Sequence, residues 1–185
     1  VTNYTYTDRV VSLAAAHNID LLPVVRTTPS WAAVNPFAPG SPPRDPTDYT
    51  AYLRLLIERY GPNGSFWAEH PELPRRPVRH WQIWNEPHLN IWWNVDGRRK
   101  FAWVPEYANL LKASKAAIDA ADPGAKVVLA ALADYAWDHL SRLNKHGIGR
   151  YYDVAAINLF TSRPGYVMRG VRFFRRAMRR GGAAR

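Results

Sequence analysis

The chain has 185 residues, of which 47% are hydrophobic and 22% are charged, a composition typical of one globular domain. No apolar run approaches the roughly 20 residues that a membrane-spanning helix needs, and no cysteine is present, which excludes disulfides and thiolate metal sites. The formal net charge is +10, but residues 163–185 alone hold eight arginines and no acidic residue. Because the excess is confined to one end, we interpret it as a solvated helix face and tail rather than a nucleic-acid-binding surface.

Segments whose apolar residues recur with helical spacing alternate with short continuous apolar runs along the chain. A first helix is predicted over residues 8–18, with Thr7 as its N-cap, and a strand-like run over residues 21–25 follows. After a proline-rich loop, Asp45 and Pro46 predict the start of a second helix, which Gly61 ends. Its predicted buried stripe comprises Tyr49, Tyr52, Leu53, Leu56, Ile57 and Tyr60. The remaining predicted elements are the strands 78–84, 126–132 and 153–159 and the helices 105–121, 135–146 and 166–180.

Apolar strands that alternate with helices predict an α/β fold whose parallel sheet is buried on both faces. An open nucleotide-binding sheet would carry a glycine-rich phosphate loop after its first strand, and neither common form of that loop occurs. The alternative is a (β/α)8 TIM barrel, which has eight strands in typically about 250 residues. About four strands and five helices are predicted here, so we expect residues 1–185 to form the middle portion of one barrel domain.

The carboxyl ends of the strands are where parallel α/β folds place their functional residues. Residues 81–87 read Trp-Gln-Ile-Trp-Asn-Glu-Pro, which puts Asn85 and Glu86 at such a strand end. A carboxyl group among apolar side chains can keep a proton near neutral pH, as a general acid must. The alternative is that Glu86 only caps a turn. Asp134, after the next strand, either lines the same cleft or caps the following helix.

Residues 81–87 resemble a segment of the retaining glycoside hydrolases that share a (β/α)8 barrel, a group known as clan A. The fourth strand of these enzymes typically ends in Trp-x-x-Trp-Asn-Glu-Pro. Residues 28–32, Thr-Pro-Ser-Trp-Ala, are similar to a Thr-Pro-x-Trp-Ala stretch found after the third strand of xylosidase-like and cellulase-like members. The segment 105–128 is similar to the fourth helix and fifth strand of such proteins. The resemblance therefore runs from about the second to the sixth helix of the barrel.

The resemblance implies a role for each matching residue. Glu86 corresponds to the general acid/base, and Asn85 to the residue that contacts the sugar 2-hydroxyl. Trp31 corresponds to a wall of the sugar site. Trp93, with its neighbour Trp92, lies in the loop after the acid/base, where aromatic rings stack on sugars or pack the loop onto the barrel rim.

The chain departs from the clan A pattern in two places. Asn158 stands where members often carry a histidine, and it can still donate a hydrogen bond to a hydroxyl. The nucleophile is a glutamate at the end of the seventh strand, whereas the last glutamate here is Glu106, at a predicted helix start where the helix dipole explains it. We therefore expect the 185-residue chain to be inactive alone and to need the remainder of the barrel.

The resulting hypothesis is a retaining glycoside hydrolase acting on β-linked oligo- or polysaccharide, a substrate that suits secretion. The alternative is a carbohydrate-binding relic of the same barrel that has lost its chemistry. No cofactor, nucleic-acid or membrane partner is predicted. The six histidines lack metal-binding spacing. His88 lies beside the predicted site; it either contacts substrate or, the interpretation that we favour, is a solvated loop residue.

Overall fold

The computed structural model describes residues 2–95 and 100–182. Its helices are α1 (Thr5–Ala16), α2 (Pro46–Tyr60), α3 (Ser65–Glu69), α4 (Trp103–Ala121), α5 (Ala136–Asn144) and α6 (Pro164–Arg180). Its strands are β1 (Val24–Val25), β2 (His80–Asn85), β3 (Lys126–Leu132) and β4 (Val154–Ile157). The predicted elements are all present, and α3, a single short turn of helix after Gly64, is the one the sequence pattern missed.

The four strands form one parallel sheet in the order β1-β2-β3-β4. The helices that connect them follow the same order, since α2 packs on α4, α4 on α5 and α5 on α6. A doubly wound sheet reverses its strand order and places helices on both faces. Sequential strands with their helices packed side by side in chain order are instead the arrangement of an arc of a (β/α)8 barrel, as predicted.

The core lies between the sheet and its helices, and the central strands β2 and β3 supply much of it. Trp81, Ile83, Trp84 and Leu129 are each at most 1% exposed. The Tyr107 hydroxyl of α4 donates to the carbonyl of Ile83 at 3.0 Å and accepts from the Ala130 N–H at 2.7 Å. This phenol therefore joins α4 to both central strands just before they reach the candidate site.

Helix α2 begins and packs as its sequence indicates. The Asp45 carboxylate accepts from the Thr47 N–H at 2.8 Å and caps a helix whose first residue is Pro46. All the predicted stripe is buried except Tyr52, which is 43% exposed. The Tyr49 hydroxyl donates to the Val25 carbonyl at 2.6 Å, so α2 is joined to β1 in the way that α4 is joined to β2.

Helix α1 begins at Thr5, earlier than predicted, and buries Val11, Ala14 and Ala15. The Arg59 guanidinium pairs with Asp8 at 2.9 Å and also contacts Glu69, which ties α1, α2 and α3 together. Leu13 faces outward and is 54% exposed.

Among the described residues, no helix is both long enough and apolar enough to cross a lipid bilayer. Helix α6 leaves five arginines of its second half on the surface: Arg172, Arg175, Arg176, Arg179 and Arg180. Its apolar side packs through Phe174 and Ala177. The described part of the basic end is thus a solvated helix face.

Candidate active site

The carboxyl end of β2 has an unusual backbone. Trp84 and Glu86 both have positive φ angles, 67° and 46°, although neither is glycine. Such conformations cost of order 1–3 kcal/mol each and persist where surrounding structure holds them, often at functional sites. Here the Glu86 N–H donates to the Ala131 carbonyl of β3 at 2.9 Å, and the indole N–H of Trp84 donates to the Trp92 carbonyl at 2.5 Å. These two hydrogen bonds therefore hold the backbone at the end of β2 in the conformation that positions Glu86.

The Glu86 side chain is buried, with 8% of the residue exposed, and it has a specific partner. The Asn158 side-chain N–H donates to Glu86 Oε1 at 2.8 Å. Asn158 itself follows β4, where its backbone N–H donates to the Leu132 carbonyl at 2.9 Å. Asn85 is the last residue of β2, paired with Ala131, and it is half-buried. The sheet thus brings together three predicted site residues from two strand ends.

A cavity of about 450 Å³ opens beside this group. Asn158 is part of its wall, so the cavity lies next to the side chain that contacts Glu86. Asp134 also lines it, and the N-cap position of α5 belongs to Tyr135, without a side-chain cap. Of the two interpretations of Asp134, lining the cleft is therefore the one that the structure favours. The cavity further contains aromatic side chains, among them Tyr135 and Phe160, which are 69% and 85% exposed.

The tryptophans predicted near the site have different environments. Trp31, in the loop after β1, is 71% exposed. Trp92 is half-buried, and the Arg26 guanidinium lies over its ring at 4.2 Å. Trp93 is only 3% exposed, and its indole N–H donates to Glu106 at 2.9 Å. The structure therefore favours packing of the loop as the role of Trp93, because its ring is enclosed between core side chains.

His88 is not the solvated loop residue that the sequence suggested. Its ring stacks on that of His139 from α5, with centroids 4.4 Å apart and planes 28° apart. The pKa of His88 is lowered to about 4, mainly because the ring is buried. The charge of His139 also lowers this pKa, whereas Asp134 raises it. Burial likewise lowers the pKa of His139. No sequence signal pointed to this pair, because it joins residues 51 positions apart on a loop and a helix.

Comparisons with known proteins address the fold. No family profile matches the sequence, and no curated protein is significantly similar to it. Among solved structures, a monomeric β-xylosidase from Caulobacter crescentus CB15 matches 99% of this chain with a TM-score of 0.64 and 17% identity. A GH39 enzyme from Xanthomonas axonopodis pv. citri matches 96% with a TM-score of 0.58 and 21% identity. A glucosidase from Croceicoccus marinus matches 97% with a TM-score of 0.67 and 14% identity.

In the other direction, this chain spans 39%, 37% and 35% of the lengths of those three proteins. Identities of this size are informative about the fold alone. The three structural matches agree with the order of the strands and with the packing of the helices in chain order. The chain therefore has the fold of part of a (β/α)8 barrel, similar to part of each of these three structures.

Proposed function

We propose that this chain is the acid/base-bearing part of a retaining glycoside hydrolase that cleaves β-linked oligo- or polysaccharide. The observation that carries the proposal is the buried Glu86 at the carboxyl end of β2, held by Asn158 beside an open cavity. Active sites of TIM-barrel enzymes lie at this end of the strands. Three structural neighbours described as a β-xylosidase, a GH39 enzyme and a glucosidase support the same class of reaction.

In the proposed mechanism, Glu86 protonates the glycosidic oxygen as the leaving group departs and then activates water against the glycosyl-enzyme intermediate. A general acid must be held in a fixed position, and the contacts of its backbone with Ala131 and of its carboxylate with Asn158 provide that. Asn85, next to it, is proposed to bind the sugar 2-hydroxyl. Trp31 offers an exposed aromatic face for a sugar ring.

The reaction also needs a second carboxylate about 5–5.5 Å from the first. The chain has no glutamate after Glu106, whose carboxylate accepts from the buried Trp93. Asp134 follows β3, the strand adjacent to that of Glu86, and Asp153 precedes β4 at the opposite end of the sheet. We therefore propose that the nucleophile belongs to a strand beyond these 185 residues, and that this chain alone does not turn over substrate.

The test is Glu86→Gln in a complete barrel that contains this chain. Glutamine keeps the oxygen that accepts from Asn158 but cannot transfer a proton. Hydrolysis of an unactivated β-linked oligosaccharide should fall by about 10²–10⁴-fold. Hydrolysis of an aryl glycoside with a good leaving group should lose less in its first step, and azide, a nucleophile that needs no general base, should restore its turnover.

The matched control is Glu58→Gln, which makes the same chemical change at an exposed position of α2. It should leave both substrates unaffected. If Glu86→Gln hydrolysed the oligosaccharide at the wild-type rate, Glu86 would not be the acid/base. If the complete barrel bound oligosaccharides but hydrolysed none, the alternative, a carbohydrate-binding relic, would replace the proposal.

A further inference from the structure

A pair of stacked histidines adjoins the turn that carries Glu86. His88 is two residues after Glu86, and His139 belongs to α5. Their ring centroids are 4.4 Å apart, and the ring of Trp103, the first residue of α4, lies 6.4 Å from His88 and 5.8 Å from His139. The loop after β2 is therefore joined to the first turns of two helices through three aromatic rings.

The surroundings of the His88–His139 stack favour uncharged imidazoles. Both ring nitrogens of His88 and Nδ1 of His139 are buried, and none has a hydrogen-bond partner in residues 2–95 and 100–182. A protonated imidazole has two N–H donors that need acceptors, and two stacked imidazolium rings would repel each other. Buried polar atoms without partners are uncommon in native structures, and each calls for an explanation.

Charged groups face the pair from the surrounding elements. Asp134, in the loop before α5, favours the protonated form of both rings. On α5 itself, Asp138 raises the pKa of His139 and Arg142 lowers it. Burial outweighs the acidic side chains and lowers both pKa values, that of His88 to about 4. As the pH falls from 6.5 toward 4, the two imidazoles take up protons in the unfolded or opened state but not in the stacked state. The stacked state therefore loses stability between pH 6.5 and pH 4.

The stack is connected to Glu86 through a short hydrogen-bonded turn. The Leu89 N–H donates to the Glu86 carbonyl at 3.0 Å, which encloses Pro87 and His88. The Trp92 and Trp93 N–H groups then donate to the Leu89 carbonyl at 2.9 Å. Because Glu86 has a positive φ of 46°, its conformation depends on what holds this turn.

We propose that the His88–His139 stack is a positioning element, which holds the Glu86 turn in place while both imidazoles are neutral and releases it when either is protonated. The consequence for catalysis rests on the proposed function, since it matters only if Glu86 is the acid/base. The conformational statement does not depend on any activity. It predicts that the contact between Asn158 and residue 86 weakens below pH 6.5.

The test uses the 185-residue chain carrying Glu86→Gln, at a concentration where it is monomeric. This substitution replaces the carboxyl group of residue 86 with an amide while keeping an oxygen for Asn158. The probes are the side-chain amide signal of Asn158 and the ring carbon signals of the histidines, followed by NMR from pH 7.5 downward. We expect the His88 ring to titrate far below 6.5 and the Asn158 signal to move in the same step.

Two further variants of that chain identify the cause. His88→Phe/His139→Phe keeps two stacked rings but removes the titration, so the Asn158 step between pH 6.5 and 4 should disappear. His146→Phe makes the same change at an exposed position just after α5, and the step should remain. If the double variant does not fold, the single variant His139→Phe leaves one titrating ring, and the step should follow the pKa of His88 alone.

A His88 ring that titrates near 6.5, or an Asn158 signal that does not move between pH 6.5 and 4, would overturn the proposal. So would a step that persists unchanged in the double variant. None of these measurements involves a sugar. They can therefore fail while the turnover test of Glu86 succeeds, or succeed while it fails.

Discussion

At the scale of single residues, the contact between Asn158 and Glu86 is the feature on which the candidate site depends. It joins the ends of β2 and β4, which are not adjacent in the sheet, across β3. A buried carboxyl oxygen that accepts a hydrogen bond is stabilised by it, and removing the donor leaves a buried polar atom without that partner. Asn158 is thus expected to hold Glu86 as well as to meet a substrate hydroxyl.

Asn158→Ala should lower the free energy of unfolding by about 1–3 kcal/mol, the cost of leaving a buried acceptor without its donor. Asn158→Asp should cost more, because it places a second carboxylate against Glu86. Urea unfolding of each variant provides the measurement. Asn109→Ala, at an exposed position of α4, is the control and should change stability by less than about 0.5 kcal/mol. Equal effects of Asn158→Ala and Asn109→Ala would contradict the role of the contact.

At the scale of secondary-structure elements, two buried tyrosines attach helices to strands. Tyr49 of α2 donates to β1, and Tyr107 of α4 donates to β2 while it accepts from β3. Each phenol satisfies backbone groups that lie in the core. These contacts set the distance between each helix and the carboxyl half of its strand.

Tyr107→Phe should destabilise the chain by about 1–3 kcal/mol, because the Ala130 N–H loses its acceptor and the Ile83 carbonyl loses a donor. Tyr49→Phe should also destabilise the chain, because the Val25 carbonyl loses its donor. Tyr135→Phe is the matched control, because that side chain is 69% exposed. Guanidinium unfolding midpoints should be lower for Tyr107→Phe and for Tyr49→Phe than for the control. A Tyr107→Phe variant as stable as the control would show that the bridge contributes nothing.

The same two phenols predict how stability depends on alkaline pH. Burial raises the pKa of Tyr49 and of Tyr107 above the ordinary value of 10, and for Tyr49 the neighbouring Tyr107 adds to the effect. The unfolded chain loses these protons near pH 10, whereas the folded chain keeps them, so stability is complete below that pH and falls as the pH rises above it. Urea midpoints measured across this range should fall more steeply for the wild type than for Tyr49→Phe/Tyr107→Phe. Identical slopes would contradict the prediction.

At the scale of the whole molecule, the described sheet is an arc with two open edges. Val24 of β1 is 42% exposed and Val154 of β4 is 41% exposed. An apolar groove lined by α1, β1 and α2, with a volume of about 400 Å³, adjoins the first edge. Unpaired edge strands with apolar side chains are templates for association with other chains.

We therefore expect the 185-residue chain to self-associate as its concentration rises, and Val24→Lys/Val154→Lys to shift it toward the monomer. A lysine on an edge strand opposes pairing with another strand. Leu55→Lys adds the same charge at an exposed position of α2 and should not change the association by a comparable amount. Sedimentation equilibrium over a range of concentrations provides the measurement. A wild-type chain that stays monomeric throughout would contradict the prediction.

The amino-acid sequence by itself determined the class of the fold and the position of the candidate acid/base. Apolar strands alternate with amphipathic helices, and this local pattern is typical of a parallel α/β sheet. Glu86 directly follows β2, so its place at the strand end follows from the order of the chain. Helix α2 was predictable in detail, because Asp45 and Pro46 are local signals that act within one turn.

Only the tertiary structure decided which side chains meet. Contacts between Asn158 and Glu86, and between His88 and His139, join residues 72 and 51 positions apart, and no periodicity encodes them. The burial of Trp93 is also decided by what packs around it, since an aromatic residue in a loop is equally suited to stacking on a sugar or on a core. Local sequence sets backbone preference and amphipathic pattern, whereas the environment of a side chain depends on distant segments that fold beside it.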